Sequence, residues 1–321
     1  MRNRQWTGTF LAFLALSLSA CGSSATSSHA ITIRQSDMPR VAATASQSPI
    51  PGGKATDLAG KSVTVNDPTR IVSLATSVAE IISALGATNA LVGRDVASQT
   101  SQLANVPVVT EGLSVSAEKV LATKPTLVIA DAQTAPTEAL DAITKAGIQI
   151  ISVPQAWTLD AVAPRVTAVA QALGIPQSAP EVIAQLHLKP RQQTATKVAF
   201  LYVRGTSSVY LIGGKGSGAD ALITAAGAHD VGAEAGMNPF TPLTPEALIK
   251  LQPDVLLVMT KGLESVNGVD GLVALPGVAQ TPAGMNRRII AVDDGLLLAF
   301  GADTGNVITA LSDALSQVMK P

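Results

Sequence analysis

The sequence is short of the residues on which several kinds of functional site depend. It contains one cysteine and three histidines, and His29, His187 and His229 are too widely spaced to suggest a zinc or manganese site. Only 3% of its residues are aromatic, so stacking platforms for nucleic-acid bases are not expected. The formal net charge of −1 and the isoelectric point of about 6.3 provide no basic field for nucleic acid. A Gly-x-Ser-x-Gly motif and a cysteine nucleophile are both missing, which leaves hydrolase chemistry unsupported.

The N-terminus has the features of an export signal. Arg2 and Arg4 precede an apolar run at residues 10–16, which is too short to cross a membrane comfortably but typical of a signal peptide. The run ends in Leu-Ser-Ala-Cys at residues 18–21, which resembles the lipobox of bacterial lipoproteins. We therefore predict a signal peptide at residues 1–20, lipidation of Cys21 and a lipid-anchored, extracytoplasmic location. The alternative is a plain secretory signal with an incidental cysteine.

The next segment, residues 21–60, is rich in Ser, Ala, Thr, Pro and Gly and shows no sustained periodicity. This composition predicts a flexible tether. The remaining length, with 47% hydrophobic and 14% charged residues over the whole chain, suffices for two lobes of roughly 100 to 130 residues each.

Two stretches of the chain repeat each other. Residues 116–130 and 244–258 both read as a short capped helix, a proline and a buried apolar strand. At nearly the same offset, residues 70–74 match residues 197–201. We predict a duplicated α/β fold, with lobes at residues 61–155 and 196–321. Alternating strands and helices imply that each lobe has a mostly parallel sheet with helices on both faces.

Residues 156–195 connect the two repeats and carry apolar side chains at helical spacing. Pro164 lies within this stripe, and Gly174 and Pro176 interrupt it before it resumes. The pattern favours a long connecting helix across the base of both lobes, although an ordinary packed helix is the alternative. A stiff connection predicts little closure of the lobes when a ligand binds.

A glycine-rich loop at residues 213–219 lies between a predicted strand and a predicted helix. From Gly214 it satisfies Gly-x-Gly-x-x-Ala, which raises the alternative of a nucleotide-dependent oxidoreductase. A dinucleotide fold, however, places this fingerprint after its first strand and an acidic residue at the end of the second. Here Asp230 and Glu234 lie in a predicted loop, so close approach of the backbone to a flat or bulky ligand is the better interpretation.

Tyr202 and Arg204 end the first strand of the second lobe. Residues two apart in a strand share a face, so the phenol and the guanidinium point the same way. A nearby cation favours the phenolate, which binds ferric iron, and tyrosine is one of the axial ligands of haem. The alternative is a strand-end tyrosine beside a surface arginine.

From Arg70 onward the chain resembles the substrate-binding proteins with a rigid connecting helix that serve haem, cobalamin and siderophore ABC importers. Residues 200–205 and 211–220 resemble most closely the haem-binding lipoproteins of that class. The resemblance implies a class III periplasmic-binding-protein-like fold, with Tyr202 ligating haem iron and Arg204 hydrogen-bonding that tyrosine. It also implies haem b as transported ligand, an ABC permease and its ATPase as partners, a monomer, and no enzymatic activity. A cobalamin or ferric-siderophore binding protein of the same fold is the alternative.

The sequence departs from this family at one place. Family members often supply a His or Tyr ligand from the loop before the first capped helix, but here that loop, residues 109–114, contains neither. His, Tyr, Met and Cys are absent from the whole stretch between Arg70 and Val153. We therefore expect five-coordinate haem, or a water or other nonprotein sixth ligand, with Leu113 packing on the porphyrin.

Glu118 and Glu246 occupy matching positions in the two repeats. In the family, one exposed glutamate per lobe docks into arginine pockets of the transporter, and these two align with it. Acids also favour helix N-termini for about 0.3 to 1 kcal/mol, which is the alternative explanation. Their symmetric placement favours docking.

Overall fold

The computed structural model describes residues 30–112 and 114–320. The predicted signal peptide, the predicted lipidation site Cys21 and the predicted haem contact Leu113 lie outside the described residues. Within them the chain forms two α/β lobes, as the repeat predicts. No helix in the described ranges is both long enough and apolar enough to cross a membrane.

The strands and helices are numbered in chain order. The strands are β1 Ile31–Ile33, β2 Lys54–Thr56, β3 Ser62–Thr64, β4 Ile71–Ser73, β5 Leu91–Arg94, β6 Thr110–Glu111, β7 Ser114–Val115, β8 Leu127–Ala130, β9 Gln149–Ser152, β10 Lys197–Arg204, β11 Val209–Gly213, β12 His229–Asp230, β13 Phe240–Pro242, β14 Val255–Met259 and β15 Ile289–Val292. The helices are α1 Val78–Ala84, α2 Ala117–Ala122, α3 Thr137–Lys145, α4 Leu159–Ala172, α5 Ala179–Gln185, α6 Ala219–Ala225, α7 Val231–Glu234, α8 Pro245–Leu251, α9 Thr260–Glu264, α10 Gly268–Val273, α11 Pro282–Met285, α12 Asp294–Leu297 and α13 Thr304–Val318.

The N-terminal lobe has a sheet in the order β3-β2-β9-β8-β4-β5. Strands β9, β8, β4 and β5 are parallel, whereas β2 and β3 pair in antiparallel fashion at one edge. Every residue of β4 and β8 is buried, as expected of parallel strands covered on both faces. A separate hairpin, β6 and β7, lies before α2 and carries the loop around Gly112.

The C-terminal lobe has a sheet in the order β1-β15-β14-β10-β11-β13, and β12 pairs with the start of β10. Strands β1, β15, β14 and β10 are parallel, and β11 and β13 are antiparallel. The repeated helices begin alike: Ser116 Oγ accepts from the N–H of Lys119 at α2, and Thr244 Oγ1 accepts from the N–H of Ala247 at α8. Each cap satisfies an otherwise free donor of the first turn.

The connection between the lobes differs from the single long helix predicted for residues 156–195. It consists of α4, α5 and an irregular segment at residues 186–196. Helix α4 is 14 residues long, or about 21 Å, and Pro164 lies inside it without ending it. Gly174 ends the helix by adopting a φ of 68°, and Pro176 cannot continue it. The predicted apolar stripe is nevertheless buried at Val162, Val166 and Val169.

Residues 30–60, hereafter the strap, also differ from the prediction, which assigned them to a flexible tether. Strand β1 pairs with β15 of the C-terminal lobe, and β2 pairs with β9 of the N-terminal lobe. Between these strands the N–H of Ala43 donates to Ala84 O at 2.7 Å, and the N–H of Thr44 donates to Glu181 Oε1 at 2.8 Å. Several apolar residues of the strap, such as Ile33, pack on the core, whereas Ile50 and Leu58 are exposed. Together with the strand pairing, this packing holds the strap to both lobes.

The two lobes touch directly beside the connection. Ser77 Oγ in the N-terminal lobe donates to the carbonyl of Ala299 in the C-terminal lobe at 2.8 Å. A side chain at Gly301 would collide with Ser77, and one at Gly295 would collide with the carbonyl of Ala97. These glycines therefore permit the close approach of the lobes.

Candidate ligand-binding cleft

Tyr202 lies near the carboxyl end of β10, where the side chains of one face become less buried along the strand. Phe200, two residues earlier on that face, is fully buried, whereas Tyr202 is half-buried. The ring of Tyr202 meets the edge of Phe240, with 5.7 Å between centroids and 73° between planes. Phe240 is brought there by β13, which pairs with β11. A T-shaped aromatic pair of this kind fixes the orientation of the phenol.

Arg204 lies next to Tyr202, as predicted from their spacing. Its guanidinium carbon is 4.6 Å from the centroid of the Tyr202 ring. Nη2 donates to Asp294 Oδ1 at 2.6 Å, and the side chains of this ion pair are 26% and 14% exposed. The guanidinium is therefore held over the phenol by an acid that is mostly shielded from solvent.

The sequence pattern does not identify Asp294 as a member of this site. It follows β15, and its Oδ2 accepts from the backbone N–H of Lys261 at 3.0 Å and from Thr260 Oγ1 at 3.2 Å. The carboxyl ends of parallel strands meet at one edge of a sheet, and polar residues there form the sites of α/β folds. Asp294 follows β15 and Arg204 ends β10, which belong to the same sheet, so this rule places the two residues near each other.

The glycine-rich loop uses its backbone donors internally. The N–H groups of Gly216 and Gly218 donate to the carboxylate of Asp220 at 2.8 and 3.0 Å, and that of Lys215 donates to Met237 O at 3.1 Å. A phosphate-binding loop presents such donors to its ligand. Gly218 instead lies against Trp157, since an added Cβ would be 3.1 Å from that ring. The loop thus serves close packing beside the cleft, and the nucleotide-binding alternative gains no support from it.

A cavity of about 210 Å³ lies between the lobes. The C-terminal lobe contributes Leu298 and Ala299, and Trp157 covers one side. The N-terminal lobe contributes small and polar side chains, which include those of Thr76, Asp95, Thr110, Asp131, Gln133 and Thr134. The aromatic and polar walls of the cleft therefore come from different parts of the molecule.

A buried ion pair forms the floor of this cavity. Arg165 on α4 contacts Asp131 Oδ2 at 3.3 Å and donates to Thr76 O at 2.9 Å, and the ion pair's side chains are 4% and 8% exposed. Burial lowers the pKa of the Arg165 guanidinium, although Asp131 and Asp95 counteract it, and burial raises the pKa of the Asp95 carboxyl. Asp131 follows the fully buried strand β8 and Asp95 follows the partly buried strand β5, and this position at a strand end is the sequence signal for both acids. Arg165 occurs within an apolar helical stripe, which gives no such signal.

Glu118 and Glu246 are exposed in the first turns of α2 and α8, at equivalent positions of the two lobes. The structure thus confirms their symmetric placement in the repeat, and their predicted contact with a transporter stays a prediction. Across the described ranges, no cluster of three or more His, Cys, Asp or Glu side chains could hold a metal ion.

Comparisons with known proteins identify the family and the fold. A family model described as periplasmic binding protein matches residues 71–296. The crystal structure of the haem-binding protein HmuT is 34% identical, with a TM-score of 0.79, and the match covers 90% of this chain and 98% of that one. HmuT has also been solved as alanine variants of a tyrosine, of an arginine two residues further on, and of a histidine.

Two further relatives have named sources. The periplasmic haem-binding protein RhuT from Roseiflexus sp. RS-1, in its apo form, is 41% identical with a TM-score of 0.72, and the match covers 79% of this chain and 100% of that one. The ABC transporter substrate-binding lipoprotein YvrC of Bacillus subtilis (strain 168) is 26% identical over 259 residues, which are 76% of this chain and 79% of that protein.

Proposed function

The chain belongs to the periplasmic binding protein family, and we propose that it captures haem b in the cleft between its lobes and delivers it to an ABC importer. The observation that carries this proposal is the pairing of Tyr202 with Arg204 at the carboxyl end of β10. The similarity to HmuT and RhuT supports haem as the ligand. The tyrosine and arginine replaced in HmuT are spaced as Tyr202 and Arg204 are here.

The chemistry of the pair suits ferric haem. A phenolate oxygen is a hard, anionic ligand for ferric iron, and a guanidinium over the ring stabilises the negative charge on the phenol. The ion pair with Asp294 keeps the guanidinium in place. Phe240, which packs on Tyr202, and Trp157, which lines the cavity between the lobes, are each 37% exposed and supply apolar surface for the faces of a porphyrin.

The N-terminal lobe contributes polar side chains rather than an iron ligand in this proposal. The iron is then five-coordinate through Tyr202, or carries water or another nonprotein ligand on its sixth position. Leu113 packs on the porphyrin from this side. Because the lobes already touch at Ser77 and Ala299, we expect haem to cause little closure.

The proposed partners follow from this role. Glu118 and Glu246 dock the two lobes onto the permease, which works with its ATPase, and Cys21 carries a lipid anchor on the outer side of the membrane. The protein acts as a monomer and not as an enzyme. The exposure of both glutamates on equivalent helices supports the docking assignment.

A haemin titration tests the proposal. The wild-type protein should bind one haem saturably and show a ferric phenolate charge-transfer band, which Tyr202→Phe should lose together with at least about a hundredfold in affinity. Tyr210→Phe is the matched control, because Tyr210 pairs with Val203 and lies on the other face of the sheet. If the wild-type protein shows no saturable change, haem is the wrong ligand, and titration with cobalamin and ferric siderophores comes next.

A further inference from the structure

A second cavity lies away from the cleft, where the strap crosses the junction of the two lobes. Its volume is about 240 Å³, and it shares no lining residue with the cleft cavity. The strap forms one wall with residues that include Gln35 and Met38, and α1 and the loop at residues 99–102 form the N-terminal-lobe wall. Asp303, just before α13, closes it from the C-terminal lobe.

Two polar atoms in the walls lack a partner among the described residues. Glu80 is only 5% exposed and its Oε1 has no hydrogen bond, and Thr100 Oγ1, on a residue that is 9% exposed, has none either. Asp303 accepts from Gln35 Nε2 at 2.7 Å and from Asn306 Nδ2 at 3.2 Å, and each carboxylate oxygen can accept a further bond. A buried polar atom without a partner costs stability, so these acceptors favour a donor in the cavity.

The charges around the cavity favour a cationic donor. Burial raises the pKa of the Glu80 carboxyl well above its ordinary value, and the charges of Asp303 and Asp95 add to the effect. The Arg94 guanidinium acts in the opposite direction but is the weakest influence, and its Nη1 donates to the carbonyl of Ser98. Arg40 is the other cation in the lining, and it is exposed.

We propose that this cavity binds a small amphiphilic ammonium ion. The cationic head donates to Glu80 Oε1 and Thr100 Oγ1 and pairs with the carboxylate of Asp303, while a short apolar part packs on Met38 and its neighbours in the strap. An ammonium group has three donors for these three acceptors, and hydrogen bonds between charged partners are the strong ones. A metal ion is the poorer match, since the described residues provide no cluster of three metal-binding side chains.

Binding has two consequences that follow from the position of the cavity. The ligand contacts α1, the strap and Asp303, so it stabilises the junction between the lobes. A positive charge beside Glu80 also favours the carboxylate, so the Glu80 proton leaves to solvent as the ammonium ion enters. The site does not depend on the identity of the ligand in the cleft.

Calorimetry and thermal unfolding with n-butylammonium chloride test this inference on the purified protein. We expect saturable binding, a rise of Tm with concentration, and a binding enthalpy that differs between buffers of different ionisation enthalpy because a proton is released. Sodium chloride at the same ionic strength and n-butanol at the same concentration are the ligand controls. Neither should reproduce the effect.

Variants locate the site. Glu80→Gln should weaken butylammonium binding at least about tenfold and abolish proton release, and Asp303→Asn should weaken binding without abolishing proton release. Glu138→Gln, an exposed acid on α3, should bind like wild type. Unchanged circular dichroism and haemin binding show that each variant is folded. The inference is overturned if n-butanol gives the same Tm shift, if Glu80→Gln binds as wild type does, or if millimolar butylammonium gives no saturable response.

Discussion

The two lobes share a backbone plan but carry different side chains near the carboxyl ends of their strands. Both have a buried parallel strand that follows a capped helix with an exposed glutamate in its first turn. The C-terminal lobe adds an exposed aromatic ring and the stacked pair of Tyr202 and Arg204, whereas the N-terminal lobe adds the buried ion pair of Arg165 and Asp131. Duplication has thus kept the outer helices alike while the ends of the strands diverged.

The largest expected effect on stability comes from Arg165, and Arg204 provides the comparison. Arg165→Met should lower the free energy of unfolding by about 3 to 5 kcal/mol, because Asp131 stays buried without its partner. Arg204→Met should cost about 1 kcal/mol or less, since its pair is partly exposed. Urea denaturation followed by circular dichroism measures both. Equal losses would show that the two ion pairs do not differ in the way their burial implies.

Buried acids in both lobes have a raised pKa, namely Glu80 and Asp95 in the N-terminal lobe and Asp230 in the C-terminal lobe. Burial raises the pKa of Asp230 in the C-terminal lobe from 3.8 to about 6. The folded protein then keeps a proton that the unfolded chain releases, so stability should fall by roughly 3 kcal/mol or less from pH 4 to pH 6. In Asp230→Asn the part of this decline that comes from Asp230 should disappear, while the parts from Glu80 and Asp95 remain and the amide oxygen still caps α7. An identical pH profile of unfolding for wild type and variant would contradict the assignment.

Replacement of the two matching glutamates tests whether both lobes contribute equally to docking on the transporter. Glu118→Ala or Glu246→Ala should each reduce haem import about tenfold, which corresponds to roughly 1.4 kcal/mol of docking energy, and haem affinity should stay unchanged. Glu138→Ala, in the first turn of α3, is the control for the charge of a helix N-terminus. Import rates in cells that carry the permease measure the effect. A loss with Glu138→Ala as large as the others would favour the helix-terminus explanation.

The smallest expected effect is a change in haem affinity on replacement of Asp294, the partner of the stacked Arg204. Asp294→Asn should reduce haem affinity by about three- to fivefold, because Arg204 loses its charged partner and samples other positions. Asp270→Asn removes the partner of Arg287 in an exposed ion pair and should leave haem affinity as it is. Absorbance titrations of both variants make the comparison. A loss for Asp270→Asn as large as that for Asp294→Asn would mean that Asp294 has no specific role.

The repeat could be predicted because each copy keeps the same local signals in the same order: a cap, a proline and an apolar strand. Tyr202 and Arg204 could be predicted to share a face from strand geometry alone. Their partner Asp294 could not be found from local spacing, since it meets Arg204 only when β15 joins the sheet near β10.

Two predictions, the flexible tether and the single connecting helix, are wrong for the same physical reason. The strap has a composition typical of a tether, and Ile31 and Ile33 become a strand only by pairing with β15, far along the chain. In the connection, the apolar stripe predicted one long helix, but in the structure α4 ends before Gly174 and Pro176. Composition and periodicity describe a segment by itself, and both segments depend on what they pack against.

The strap also limits how far the protein can stand from a membrane. β1 begins at Ile31, only ten residues after Cys21, and ten fully extended residues span no more than about 35 Å. An anchor at Cys21 would therefore hold the edge of the C-terminal lobe close above the lipid headgroups. Confinement to such a thin layer would raise the local concentration of the protein around its permease, so that encounter would become a search in two dimensions.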